Sequence, residues 1–214
     1  MSTLQTKQFS TFLSLARSGE YTVLGSTFKW QNTSNGSSQN NTYTSLLFTD
    51  GSNNSQPAPL SISPADQTNY LVCKNLDSNI PTDATVIGIN VYIDRYNSFT
   101  VDEAIVTIND DAIYLTKNGT DTVGDNKSTG ATWPSSDTNT YASYGGVSDL
   151  WGTSWTASEI NDDNFGVMIG PNLAYDLGTG ENGQSARIDH VYVEITFTDN
   201  STSRRRAVFI AKNN

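Results

Sequence analysis

The sequence predicts an all-β protein, a single antiparallel β-sandwich of jelly-roll-like kind with an arm at each end. Three observations predict it. Apolar residues alternate with polar ones at period two in several segments, which is the pattern of a strand with one face in a core. Only 16% of the 214 residues are charged, and the polar weight falls on Ser, Thr, Asn and Gly, which favour turns over helices. Strand-like runs recur between turn signals with almost no helical periodicity, as a sandwich or barrel requires.

The clearest strand covers residues 85–95, where Ile87, Ile89, Val91 and Ile93 fall on one face and Gly88, Asn90, Tyr92 and Asp94 on the other. Residues 101–108 and 112–115 follow as two further strands, with Asn109, Asp110 and Asp111 between them as a turn. Phe165, Val167 and Ile169 alternate again, as do Val191, Val193, Ile195 and Phe197. Earlier in the chain, residues 21–24, 27–31 and 43–48 read as strands, with a polar loop over 32–41. Pro57, Pro59 and Pro64 mark an edge or loop region around Leu60 and Ile62.

The first stretch carries two readings. Leu4, Phe9, Phe12, Leu13 and Ala16 approximate a helical stripe with Gly19 as its stop, and residues 8–15 read equally as a strand. Residues 1–25 are therefore an N-terminal arm or an added strand or helix, 26–199 the sandwich, and 200–214 a C-terminal arm. One short helix is expected where Thr156 and Glu159 form a capping box, ending near Asn161 and Asp162.

A net charge of −10 and a pI near 4.3 oppose a nucleic-acid partner, because such a chain repels phosphate at long range. No apolar run approaches the length of a membrane helix, and the first sixteen residues lack the pattern of a secretory signal. The one cysteine, Cys73, sits in the apolar run Tyr70-Leu71-Val72-Cys73 and reads as a buried, inert thiol. No metal or organic cofactor is expected.

Residues able to carry chemistry are few. The one histidine, His190, stands beside Asp189 and by alternation shares a face with Ile188 and Tyr192, which favours a structural role. Asp110-Asp111 and Asp162-Asp163 can be read as glycosidase carboxylates or as calcium ligands. Neither pair has the alternate-position spacing of a calcium loop, however, and acidic turns are the background of an acidic chain. Asn-x-Ser/Thr triplets such as Asn32-Thr33-Ser34 are expected by chance in so Asn- and Thr-rich a chain. Trp133, Tyr141, Tyr144, Trp151 and Trp155 gather in a glycine-rich stretch. As candidate glycan or partner contacts, Trp133, Tyr144, Trp151 and Trp155 would stack on sugar rings. The structural alternative is that they plug the open end of the sandwich.

Beyond the last predicted strand, a polar linker leads to Arg204, Arg205 and Arg206 and then the apolar run with Val208, Phe209 and Ile210. These residues form a candidate assembly arm. An apolar strand beyond a finished domain invites pairing with a neighbour's sheet edge, or folding back onto its own.

The order of motifs also resembles a known type. Ile80-Pro81-Thr82-Asp83-Ala84-Thr85-Val86-Ile87-Gly88-Ile89 is similar to the opening of a β-sandwich domain of bacteriophage virion proteins. Val123-Gly124-Asp125-Asn126-Lys127, Tyr144-Gly145-Gly146, Asp149-Leu150-Trp151-Gly152, Trp155-Thr156, Asn161-Asp162-Asp163-Asn164-Phe165-Gly166-Val167 and Ala186-Arg187-Ile188-Asp189-His190-Val191 follow in order. The resemblance covers residues 80–198. It implies a non-enzymatic virion component, such as a capsid decoration, fibre, tail or baseplate protein, made in the host cytoplasm. Its partners would be other virion proteins and copies of itself, with a host-surface glycan as a further candidate, and no nucleic acid or membrane. A carbohydrate-binding module or adhesin is the rival reading, and a glycan-degrading enzyme ranks last.

Overall fold

The structure is a computed structural model that describes residues 2–15, 17, 30–41, 43–47, 66–98, 105–176 and 185–199. It is an all-β sandwich of two antiparallel sheets. Strands β1 (Ser2–Gln8), β3 (Trp30–Gln31), β4 (Thr44–Leu47), β7 (Thr85–Ser98), β9 (Tyr141–Gly146) and β11 (Ser185–Thr198) make the first sheet. The second holds β2 (Thr11–Leu15), β5 (Asp66–Gln67), β6 (Tyr70–Lys74), β8 (Ile105–Thr116) and β10 (Gly166–Asp176). From β7 to β11 the chain changes sheet at every step, so both layers are closed by long-range pairing.

The long central pair is β7 against β11. Its core face follows the sequence alternation through Ile89, Val91 and Ile93, which meet Ile195, Val193 and Val191 and are fully buried. Two bulges then re-aim side chains. One lies between Thr196 and Phe197, so Val86 rather than Ile87 enters the core beside Phe197. The other lies between Ile188 and His190, with Asp189 as the extra residue. It sends Ile188 into the core and leaves His190 on the opposite face, correcting the simple alternation that put both on one face.

The second sheet supplies Leu71, Cys73, Ile113, Leu115, Val167 and Ile169 to the same core. Burial raises the Cys73 thiol well above its ordinary value, so it stays protonated. Asn109, Asp110 and Asp111 are not a turn. They lie inside β8, where a bulge opposite Gly170 and Pro171 accommodates them. The free edge of β8 is covered by residues 123–133, through backbone bonds from Val123 to Leu115, Lys127 to Ile113, Asp110 to Ala131 and Trp133 to Ile108.

The helical reading of the first stretch is also replaced. β1 pairs with β11 and β2 with β6, while Phe9 and Phe12 are buried in the core. The small helix α1 (Ala157–Ile160) stands where expected, with both halves of the Thr156–Glu159 capping box formed. Residues 21–24 and the proline-rich region lie outside the described residues, as does the arm with Arg204, Arg205, Arg206, Val208, Phe209 and Ile210.

Candidate functional site

The four candidate contact rings are core residues. Trp133, Tyr144, Trp151 and Trp155 are 3%, 3%, 0% and 6% exposed, so none offers a face to a sugar. The stacking-platform expectation is therefore corrected, and the reason lies in their polar atoms, which are satisfied internally. Trp151 donates its indole N–H to the Ile89 carbonyl (2.9 Å) and Trp155 donates to the Leu150 carbonyl (3.0 Å) while packing edge-on against Phe165. Trp133 donates to Asp110 Oδ1 (2.8 Å), and Tyr144 donates to Asp110 Oδ2 (2.9 Å). Arg95 closes this buried cluster, with Nη2 3.1 Å from Asp110 Oδ2 and Nε donating to the Tyr144 hydroxyl. Asp110, read from sequence as an acidic turn, is thus the counter-ion of a buried arginine. Replacing either partner alone would strand a buried charge.

The polar residues that remain together lie on the outer face of the first sheet. The register sets them in rows running across the strands. Tyr141, Asp94 and His190 form the first row, bridged to Ser37. Ser143, Tyr92, Tyr192 and Gln8 form the second, and Gly145, Asn90, Glu194 and Thr6 the third. The fourth holds Gly88, Thr196 and Leu4.

Aromatic rings tie the first two rows. Tyr92 stacks on Tyr192 with centroids 4.6 Å apart and planes 10° apart, and His190 lies against the other side of Tyr192 at 5.6 Å. Tyr141 meets Tyr192 edge-on, and its hydroxyl is 2.9 Å from His190 Nδ1. Tyr92 donates its hydroxyl to Glu194 (2.8 Å). The Tyr92 and Tyr192 rings therefore share a face, and the hydroxyls of Tyr141 and Tyr92 are engaged by His190 and Glu194.

Beside the rings sits a carboxylate group that the sequence did not reveal. Asp94 accepts from Gln39 (3.0 Å), Asp189 accepts from the Asn40 and Asn41 amides (each 3.3 Å), and Asp137 accepts from the Tyr43 hydroxyl (2.7 Å). These contacts strap Gln39, Asn40, Asn41 and Tyr43 over the end of the sheet. Among the described residues, no lysine or arginine ion-pairs with any of the three. Burial pushes the Asp94 carboxyl up to about 6, against the Gln39 hydrogen bond, and the charges of Asp137 and Asp189 push the same way as burial. Burial lowers the His190 imidazole from its ordinary value, with Asp189 pulling in the opposite direction. Burial lifts the Tyr141 phenol to about 12. His190 Nε2, Asn90 Oδ1 and Thr196 Oγ1 are buried on this face with no protein partner.

The fourth row carries the apolar feature. Gly88 is closed over by the backbone of Val147, since a Cβ there would lie 2.2 Å from the Val147 carbonyl carbon. Val147 (60% exposed) and Leu4 (53%) are the exposed large hydrophobic residues of the described chain. Two strand spacings, about 10 Å, separate Leu4 from Gly88 along this row. The outer face thus runs from an acidic, strapped end through a tyrosine ladder to an apolar end.

No family model, curated protein or solved structure matches this chain. The motifs singled out in the sequence between Ile80 and Val191 lie among the described residues. Several of these motif residues have defined jobs in the fold. Gly145 and Gly152 adopt positive φ (89° and 70°), Trp151 is the largest fully buried side chain, and Asp149 accepts from the Trp151 amide (2.7 Å). Arg187 and Asp189 are engaged within the chain. Arg187 donates to Tyr96, and Asp189 holds the strap. No group of three or more His, Cys, Asp or Glu side chains among the described residues is placed to hold a metal ion. Among them, no helix is long and apolar enough to cross a membrane.

Proposed function

We propose that this chain is a non-enzymatic structural subunit of a particle, of the kind used as a bacteriophage capsid decoration, fibre, tail or baseplate protein. One observation carries the reading. The exposed apolar residues Leu4 and Val147 stand at one end of the outer face of the first sheet, two rows from the stacked pair Tyr92 and Tyr192 on that same face. Rigid tyrosines beside exposed apolar groups form the composition of a contact surface, because little side-chain entropy remains to be lost on docking. The sandwich supports the same reading, since its histidine and its buried carboxylate–arginine pair are engaged in holding strands and loops. The motif order from Ile80 to Val191 supports the choice of a virion setting.

Partners would be copies of this chain and other particle proteins, and the C-terminal arm would add to the contact. Sedimentation velocity tests this on the full chain and on a chain lacking residues 200–214. The full chain should shift to larger species as concentration rises, while the shortened one stays folded and monomeric. A full chain that remains monomeric throughout, with a shortened chain indistinguishable from it, would remove the assembly reading.

A further inference from the structure

We propose that the outer edge of β1 is a docking rail, to which residues 204–211 of a second copy of this chain add as an antiparallel strand. The proposal rests on the assembly reading above and names the contact that would carry it.

β11 is paired along one side by β7 over its whole length. Its other side is shared by β4, at Ser185–Ile188, and by β1, at Tyr192–Thr198. Among the described residues β1 is therefore the last strand of the first sheet at that end. It runs for seven residues with no register shift, and Ser2, Thr3, Leu4, Thr6 and Gln8 are exposed. In a ladder of this kind every other residue turns its N–H and C=O away from the neighbour it pairs with. Those groups have no backbone partner on the far side of β1 among the described residues.

The fold treats its edges unequally. The long edge of β8 is covered by residues 123–133, whereas among the described residues β1 has no backbone partner on its far side, no proline and no bulge, and meets residues 77–79 through the side chains of Gln5 and Lys7. The one charge on it, Lys7, is drawn off to the Asp77 carbonyl (3.0 Å) rather than standing guard along the edge. Leu4 adds an exposed apolar contact on the same strand.

The occupant follows from chemistry and from direction. Val208, Phe209 and Ile210 are strand formers, and the three arginines before them are the densest positive charge in a chain of net −10. Glu194 stands opposite Thr6 in the β1–β11 ladder, and the chain that carries this edge is acidic as a whole, at net −10. A basic, β-forming segment therefore fits both the edge and its surroundings. Ser2 pairs with Thr198, so the chain leaves β11 beside the first residue of β1. A tail that turned straight back would run parallel to β1, the weaker pairing, whereas a neighbour's tail is free to enter antiparallel.

Cysteine pairing across chains tests this. One full-length chain carries a cysteine at Leu4, Thr6 or Gln8, and the other carries one at Val208, Phe209 or Ile210. Cys73 is fully buried and does not compete. Directly opposed residues of an added strand fall within disulfide range, so mild oxidation should give a linked dimer containing one chain of each type. The yield should peak in one register and collapse one residue away. Linkage only when both cysteines sit on the same chain would overturn the proposal in favour of a folded-back tail. Absence of linkage in all nine combinations, with the parent still self-associating in sedimentation, would overturn the rail and leave the assembly reading standing. A parent that never self-associates would remove both.

Discussion

Asp94 is 2% exposed, yet it is flanked by two further carboxylates and met by no lysine or arginine among the described residues. Its surroundings are Gln39 and Tyr43 from the strap, Asp137 and Tyr141 from the segment before and at the start of β9, and Asp189 and His190 from β11. A carboxyl raised from 3.8 to about 6 binds its proton more tightly in the folded chain than in the unfolded one. Its contribution to stability is therefore full below about pH 4 and is lost as pH rises through 6. His190, lowered from its ordinary value, acts in the opposite sense, since its contribution is present above about 6.5 and is lost as pH falls. Comparing Asp94→Asn with the parent cancels the histidine. The variant should be more stable at pH 7.5 by about 1–3 kcal/mol, with the gain fading toward pH 4. Urea unfolding at the two pH values checks this. A variant less stable than the parent at both would mean that the ionised carboxylate is needed to hold the strap.

At the scale of single elements, local pattern and tertiary context divide the explanation between them. The run from Ile89 to Ile93 and the Thr156–Glu159 cap are local, so both were legible in the sequence. Asn109-Asp110-Asp111 was not, because an Asp/Asn cluster signals a turn until Arg95, Tyr144 and Trp133 arrive from other strands to neutralise it. The bulges at Asp189 and before Phe197 were invisible for the same reason, being a property of two strands in register rather than of either alone. Likewise, Tyr92 and Tyr192 sit 100 residues apart, and nothing in their neighbourhoods announces a shared row. Gly88 was legible as a residue of the outer strand face, and the structure shows what packs over it. A methyl group there would meet the Val147 and Gly146 backbone, which cannot rotate aside. Gly88→Ala should therefore push residues 146–149 off the sheet, breaking the bond from the Ile89 amide to the Asp149 carbonyl (2.9 Å). The expected cost is about 1–3 kcal/mol. Thermal unfolding measures it, and an unchanged melting temperature would show that this segment does not pack as described.

For the whole molecule, both layers depend on pairings between distant parts of the chain. β11 carries β1, β4 and β7, and β10 carries β5, β6 and β8, so the C-terminal third organises what precedes it. Such a topology folds slowly and as a unit, which places a premium on covering edges during and after folding. At this scale the fold closes the long edge of β8, while the far edge of β1 meets no backbone partner among the described residues. The most direct measurement is cross-linking mass spectrometry on intact particles purified from cells that make this protein. Lys7 on β1 and Lys212 beyond the apolar run are the reporters. The account predicts intermolecular links between Lys7 of one copy and Lys212 of another, together with links to adjoining particle proteins. Finding the chain only free in solution, absent from intact particles, would contradict it.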